Sequence, residues 1–181
     1  MIDIQMPFTK EQARNLVCGD VVTLNGTIYT ARDAAHKRLI ECIDEGEKLP
    51  FDIQDQAIYY VGPTPSKPGE IIGSAGPTTS YRMDDLTIPL LERGLRIMIG
   101  KGKRNERVVE SMQKHGAVYL AAIGGAGAYI SNSIKSCEII AYDDLGAEAI
   151  RKLEVEDLQL IVAIDSYGNN IYEKGREVYA K

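Results

Sequence analysis

The chain has 181 residues, with 26 Asp and Glu against 21 Lys and Arg, for a net charge of -5. That length suits a single domain over 1–181, able to bury about 70% of the surface its unfolded form exposes. Its cations are dispersed among carboxylates, which argues against a nucleic-acid surface, and the lack of a long apolar run or a basic-then-apolar leader excludes a membrane span and a secretory signal, leaving the cytoplasm as the expected location.

Val21-Val22-Thr23-Leu24 and Thr27-Ile28-Tyr29 flank Asn25-Gly26, which predicts a hairpin closed by a type I′ turn. Thr30 then reads as the cap of a helix over 33–45, with Arg32 and Asp33 in its first turn. An arginine there opposes the helix dipole, so it serves anion binding better than it serves the helix. Lys37 and Arg38, further along, read as a solvated face. Residues 58–61 predict a strand, 63–69 a loop, and Ile71-Ile72 a further short strand.

Gly73-Ser74-Ala75-Gly76-Pro77-Thr78-Thr79-Ser80-Tyr81-Arg82-Met83-Asp84 follows, ahead of a helix over 85–93 that Pro89 should shorten or kink. Glycine freedom, hydroxyls, a cation and a carboxylate in one turn are the inventory of an anion site at a helix N-terminus. The same residues also suit a tight turn with Thr and Ser as caps. A strand over 97–99 runs into Gly100-Lys101-Gly102, then a helix over 105–115. A lysine between two glycines is freely approachable and suits a point-charge contact to a carboxylate or phosphate. The spacing is not that of a P-loop. Gly124-Gly125-Ala126-Gly127-Ala128 lacks the last glycine of the dinucleotide fingerprint, so a nicotinamide cofactor is excluded too. That stretch suits either a site lining or a close strand-to-helix crossing.

Strands are expected at 118–122, 139–141 and 160–164, several of them apolar on both faces, and Asp165 to Asn170 should form a late hairpin turn before Ile171-Tyr172. Cys18, Cys42 and Cys137 stand far apart without a CxxC pair, which speaks against metal binding within this chain and makes Cys42 and Cys137 core positions. His115 reads as a solvated helix-end residue.

The motifs Gly19-Asp20-Val21-Val22-Thr23-Leu24-Asn25-Gly26, Tyr29-Thr30-Ala31-Arg32-Asp33-Ala34-Ala35-His36-Lys37, Gly62-Pro63, Gly76-Pro77-Thr78-Thr79, Arg82-Met83-Asp84, Gly100-Lys101-Gly102, Ala122-Ile123-Gly124-Gly125-Ala126, Ala141-Tyr142-Asp143-Asp144-Leu145-Gly146 and Ala163-Ile164-Asp165 run in this order over nearly the whole chain. Together they resemble the beta subunit, or the equivalent C-terminal domain, of the class I iron-sulfur fumarate hydratases and the related tartrate dehydratases. The resemblance implies an α/β fold of the swivelling β/β/α type with a mixed sheet. It implies the beta subunit of a class I fumarate hydratase, which hydrates fumarate reversibly to (S)-malate. The beta subunit of L-tartrate dehydratase is the alternative, and a noncatalytic anion-binding or assembly module is a reading from another class.

The resemblance further implies Arg32, Arg82 and Lys101 as substrate-binding residues and Thr78 at the catalytic position for proton transfer. Asp33 and Asp84 would orient Arg32 and Arg82 from behind. A dicarboxylate carries two negative charges, and an arginine holds a carboxylate through two parallel hydrogen bonds, so converging cations suit it. A threonine hydroxyl becomes basic only when a strong neighbour takes its proton. The implied [4Fe-4S] cluster would be held by a partner alpha subunit in a hetero-oligomer and act there as the Lewis acid on the leaving hydroxyl, with no metal on this chain.

Overall fold

The computed structural model describes residues 1–122 and 127–174. Buried Val22, Leu24, Ile28 and Thr30 keep one two-residue phase on both sides of Asn25-Gly26. This shared phase fits Val21–Thr30 as one strand, β2, and corrects the expected hairpin. Asn25-Gly26 marks a bulge in place of a turn. Register against the last strand passes from Leu24↔Leu158 to Gly26↔Val155, so the partner carries one extra residue there. Gly26 has φ 109, which few other residues adopt, and a Cβ on it would also press on Met6, 3.2 Å from its Cβ and 3.3 Å from its N.

The remaining strands are β1 (Ile2–Gln5), β3 (Ala57–Tyr59), β4 (Ile97–Gly100), β5 (Val118–Ala122), β6 (Ile134–Ala141) and β7 (Ile150–Ile164). Their order is β1-β2-β3-β4-β5-β7-β6, and a further β2–β7 pairing closes β2, β3, β4, β5 and β7 into a barrel. β2 through β5 run parallel to their neighbours, while β7 runs antiparallel to both β5 and β2. The fold is therefore mixed α/β. β2 and β7 are long enough for β1 and β6 to share their outer edges with β3 and β5.

The inner strands are apolar on both faces because both are covered. Ala57, Tyr59, Ile97, Ile99, Val118 and Leu120 join Leu24, Leu153 and Val162 in one core cluster. Ile58, Tyr60, Met98 and Tyr119 pack into a second, against Leu39 of α2 (Asp33–Asp44), Leu90 and Leu91 of α3 (Asp84–Glu92) and Val108 and Met112 of α4 (Glu106–His115). Each such large side chain contributes roughly 1.5–3 kcal/mol on burial. The short helix α1 (Lys10–Ala13) precedes these three and α5 (Gly127–Ser133) follows them.

Thr30 does not cap α2. It lies in β2, where its hydroxyl donates to Ala149 O at 3.4 Å and accepts from Arg151 N at 3.0 Å, and Arg32 takes the N-cap position. Asn105 caps α4 by accepting from Val108 N at 2.9 Å, and Gly116 ends it at φ 71. Ile71-Ile72 forms no strand. Its loop folds back on itself, with Thr64 N donating to Ser74 O at 3.0 Å and Ser74 N to Thr64 Oγ1 at 2.7 Å. The segment over 139–141 ends β6, and 160–164 ends the 15-residue β7. Asp165 turns the chain after β7 by accepting from the backbone of Tyr167 and Asn169 at 3.0 Å each, after which Ile171 starts a helical turn instead of a strand. Among the described residues no helix is long and apolar enough to cross a membrane.

Candidate functional site

Parallel β2, β3, β4 and β5 end on the same rim of the barrel, so the segments that leave them share one edge of the molecule. In open parallel sheets this end gathers ligand-binding loops. Arg32 leaves β2, Tyr60 to Gly62 leave β3, and Lys101 follows β4 directly. The glycine stretch Gly124-Gly125-Ala126 after β5 lies outside the described residues.

Arg32 sits at the N-cap of α2 with its side chain 25% exposed. Its Nε is 4.0 Å from Asp33 Oδ1 and 3.9 Å from Glu148 Oε1, beyond hydrogen-bond reach, and both Arg32 Nε and Asp33 Oδ1 are buried without a partner. Two unsatisfied polar atoms beside an arginine are costly and suit a side chain held ready for something else. Glu148 instead accepts from Ala34 N at 3.3 Å and helps close the helix end. His36 is fully buried, and its Nδ1 lies 2.8 Å from Arg32 O, so that nitrogen donates and the unpartnered Nε2 is the bare acceptor. Burial pushes its pKa down to about 4. Of its neighbours, Lys37 is exposed and Arg38 pairs with both carboxylate oxygens of Asp144.

The segment with Thr78 reaches the rim by backbone pairing. Thr78 N donates to Tyr60 O at 2.7 Å, Thr79 bridges Lys101 in parallel, and Ser80 N donates to Lys101 O at 2.9 Å. Gly100 permits this crossing, since a Cβ there would collide with Ser80 Oγ and come within 2.8 Å of Tyr60 Cδ2. Thr78 is half-buried. Arg82, in the 3-10 helix Ser80–Met83, and Lys101 are exposed. Arg32, the Thr78–Arg82 segment and Lys101 thus lie at the same end of the barrel.

Asp84 is committed elsewhere, which corrects its expected role behind Arg82. Its Oδ1 accepts from Arg104 Nε at 2.6 Å and its Oδ2 from Asn105 N at 3.1 Å, so it joins the start of α3 to the start of α4. The Arg104 side chain is 0% exposed and lies 5.1 Å and 5.0 Å from the ring centroids of Tyr60 and Tyr119. Burial opposes its charge, but the Tyr60, Asp84 and Tyr119 groups more than offset this and its pKa is raised. The Tyr119 hydroxyl in turn contacts Ser80 Oγ at 2.8 Å and donates to Gly102 O at 2.9 Å. Sequence reasoning missed this network. Its available signal was Tyr119 within the otherwise aliphatic β5 and Tyr60 just past the end of β3, because a buried phenol needs a hydrogen-bond partner.

Cys18, Cys42 and Cys137 occupy a loop, α2 and β6, all half-buried, and burial pushes the Cys18 and Cys137 thiols up, away from the thiolate form. Among the described residues no group of three or more metal-ligating side chains converges. These residues do not fit an iron-sulfur cluster. A cleft of about 490 Å³ lies beside the loop over 63–73, lined by Ile71, Ile72, Cys137, Ile139 and Arg151 among others, and none of Arg32, Thr78, Arg82 or Lys101 lines it. Arg151 is spent there on the carbonyls of Gly146, Ala147 and Ala149.

Fold and rim together define a closed mixed β-barrel domain, flanked by helices, that presents Arg32, Arg82 and Lys101 at the rim formed by the carboxyl ends of its parallel strands. The chain belongs to the Fumarase C-terminus family, which matches residues 1–175. It is 42% identical over 180 residues to a Methanocaldococcus jannaschii protein named for the L(+)-tartrate dehydratase subunit beta, covering 96% of this chain and 92% of that one. It is 44% identical over 155 residues to the aerobic class I fumarate hydratase of Escherichia coli K12, covering 84% of this chain and 28% of that enzyme. Fumarate hydratase 2 of Leishmania major is 39% identical over 178 residues, covering 96% of this chain and 31% of its own length. The chain is thus homologous to hydro-lyases, and it spans under a third of the fumarate hydratases named here.

Proposed function

We propose that this chain is the dicarboxylate-holding half of a class I hydro-lyase, a beta-type domain of the swivelling β/β/α kind that hydrates fumarate reversibly to (S)-malate with an alpha subunit. The observation that supports this reading is that Arg32, Lys101 and the Thr78–Arg82 segment lie at the same end of the parallel strands, in a chain of this family. Arg32 and Arg82 would hold carboxylates through their planar forks, and Lys101 would supply a point charge. Removing a proton next to a carboxylate builds charge on that carboxylate, so fixed cations stabilise the transition state more than the substrate. Thr78 is the proposed proton-transfer residue, and Asp33 the carboxylate beside Arg32. The [4Fe-4S] cluster of the family is assigned to the alpha subunit.

A second reading, the beta subunit of an L-tartrate dehydratase, is favoured by the Methanocaldococcus jannaschii relative, whose own length this chain nearly spans. The two differ in whether the pocket accepts a second hydroxyl.

The test is turnover of fumarate, (S)-malate and L-tartrate by the chain assembled anaerobically with its alpha subunit. Arg82→Lys should fail nearly as badly as Arg82→Met, because a point charge cannot replace the fork, and Lys101→Arg should fail as well. Each loss should be about 3 kcal/mol or more, roughly a hundredfold in rate, with complex formation unchanged. Near-normal turnover in these variants would remove both residues from the site. An assembled wild type inert toward all three substrates would leave the noncatalytic module.

A further inference from the structure

Beneath the rim, a chain of hydrogen bonds leaves the Lys101-Gly102 turn and returns to it. Lys101 N donates to Ser80 Oγ at 3.1 Å, the Ser80 hydroxyl meets the Tyr119 hydroxyl at 2.8 Å, and the latter donates to Gly102 O at 2.9 Å. Its direction is determined by its ends. A backbone N–H can only donate and a carbonyl can only accept, so along this path the Ser80 hydroxyl donates to Tyr119 and the Tyr119 hydroxyl to Gly102 O, and the Tyr172 hydroxyl also approaches Tyr119 and Gly102. Bonds aligned head to tail in a buried setting also polarise and strengthen one another.

The turn needs such a restraint. Lys101 stands between two glycines, and Gly102 adopts φ 84, so its backbone has conformations open to it that few other sequences allow. Fixing a residue of that freedom is entropically unfavourable unless a specific contact holds it. Ser80 belongs to the segment that carries Thr78 and Arg82, and Tyr119 belongs to β5, where it pairs with Met98 and is fully buried. Burial raises the Tyr119 pKa, which keeps the phenol protonated as a donor. One hydroxyl thereby joins β5 to both parts of the rim.

We infer that Tyr119 is a positioning residue, whose hydroxyl holds the Lys101-Gly102 turn and the Thr78–Arg82 segment in one relative placement through Ser80. The tether stands on the geometry alone. Its catalytic consequence rests on the reading proposed above.

Tyr119→Phe is the informative variant, because it keeps the ring, its packing and its face toward Arg104 and removes only the hydroxyl. In the full chain, the Lys101 and Ser80 amides should exchange with solvent about tenfold faster than in wild type, while the amides of β4 and β5 keep their protection, since one buried hydrogen bond is worth about that factor. In the assembled enzyme kcat should fall about tenfold. Ser80→Ala should lose about as much, and Ser80→Ala with Tyr119→Phe clearly less than the sum of the two, because both remove the shared Ser80–Tyr119 bond. A merely structural role would instead lower protection throughout β4 and β5 and give additive losses. Unchanged exchange at Lys101 and Ser80 would overturn the tether, and faster exchange with undiminished kcat would overturn the positioning role. A wild-type assembly that converts no dicarboxylate would count against the hydro-lyase reading, and the exchange measurement would still decide the tether.

Discussion

Arg32 owes its placement to a missing side chain at Gly62. A Cβ there would stand 2.9 Å from Arg32 Nη1 and 3.0 Å from its Cδ. The flexible end of Arg32 can swing aside, so Gly62→Ala should change stability by under about 1 kcal/mol in urea unfolding while lowering turnover of the assembled enzyme at least about tenfold. Intact turnover would take Arg32 out of the substrate's reach. His36 gives a pH-dependent prediction. Its folded pKa of about 4 lies below the ordinary value of 6.5, so the unfolded chain takes up the proton first as pH falls. The stability it contributes is therefore complete above pH 6.5 and is lost as pH falls toward 4, on the order of 3 kcal/mol in all. The positive Arg104 acts in the same direction as burial and Asp33 against it. His36→Phe should flatten the decline of unfolding free energy over that interval, and parallel curves for the two proteins would contradict the assignment.

At the scale of elements, what the sequence revealed depended on whether local and long-range signals agreed. α2, α3 and α4 were legible to within a residue or so, because apolar periodicity, Asn105 at a cap and Gly116 at an end all point the same way. Asn25-Gly26 misled because its turn chemistry is local, whereas the barrel extends the alternation of Val22, Leu24, Ile28 and Thr30 straight through it. That alternation was visible and outweighs the dipeptide once β7 offers a partner along the whole strand. The first half of β7 was not legible, since Arg151, Lys152, Glu154 and Glu156 break up its apolar pattern and only β2 and β6 on its two edges define it. Arg32, Thr78, Arg82 and Lys101 enter the proposed site through resemblance, and Arg32 and Lys101 also through their glycine and helix-end settings. Arg104 was not, because the aspartate that neutralises it lies twenty positions away, at the start of another helix.

For the whole molecule, closure of the barrel divides the strands into two kinds. β4 and β5 are paired on both sides within the closed ring, whereas β1 and β6 hang on its outside with a free edge. Unfolding β1 or β6 leaves the ring intact, so amides of β4 and β5 should exchange at least about a hundredfold more slowly than those of β1 and β6. Equal protection across all seven strands would show that the appended strands unfold only with the ring. The open rim has a further consequence on the proposed reading. An anion among Arg32, Arg82 and Lys101 would neutralise cations that a covering second chain otherwise takes out of water unpaired, so each would raise the affinity of the other, and by an identical factor. Substrate level would then govern how much of the enzyme is assembled, and a dilute solution of the two subunits would respond to dicarboxylate as a sensor does, by associating.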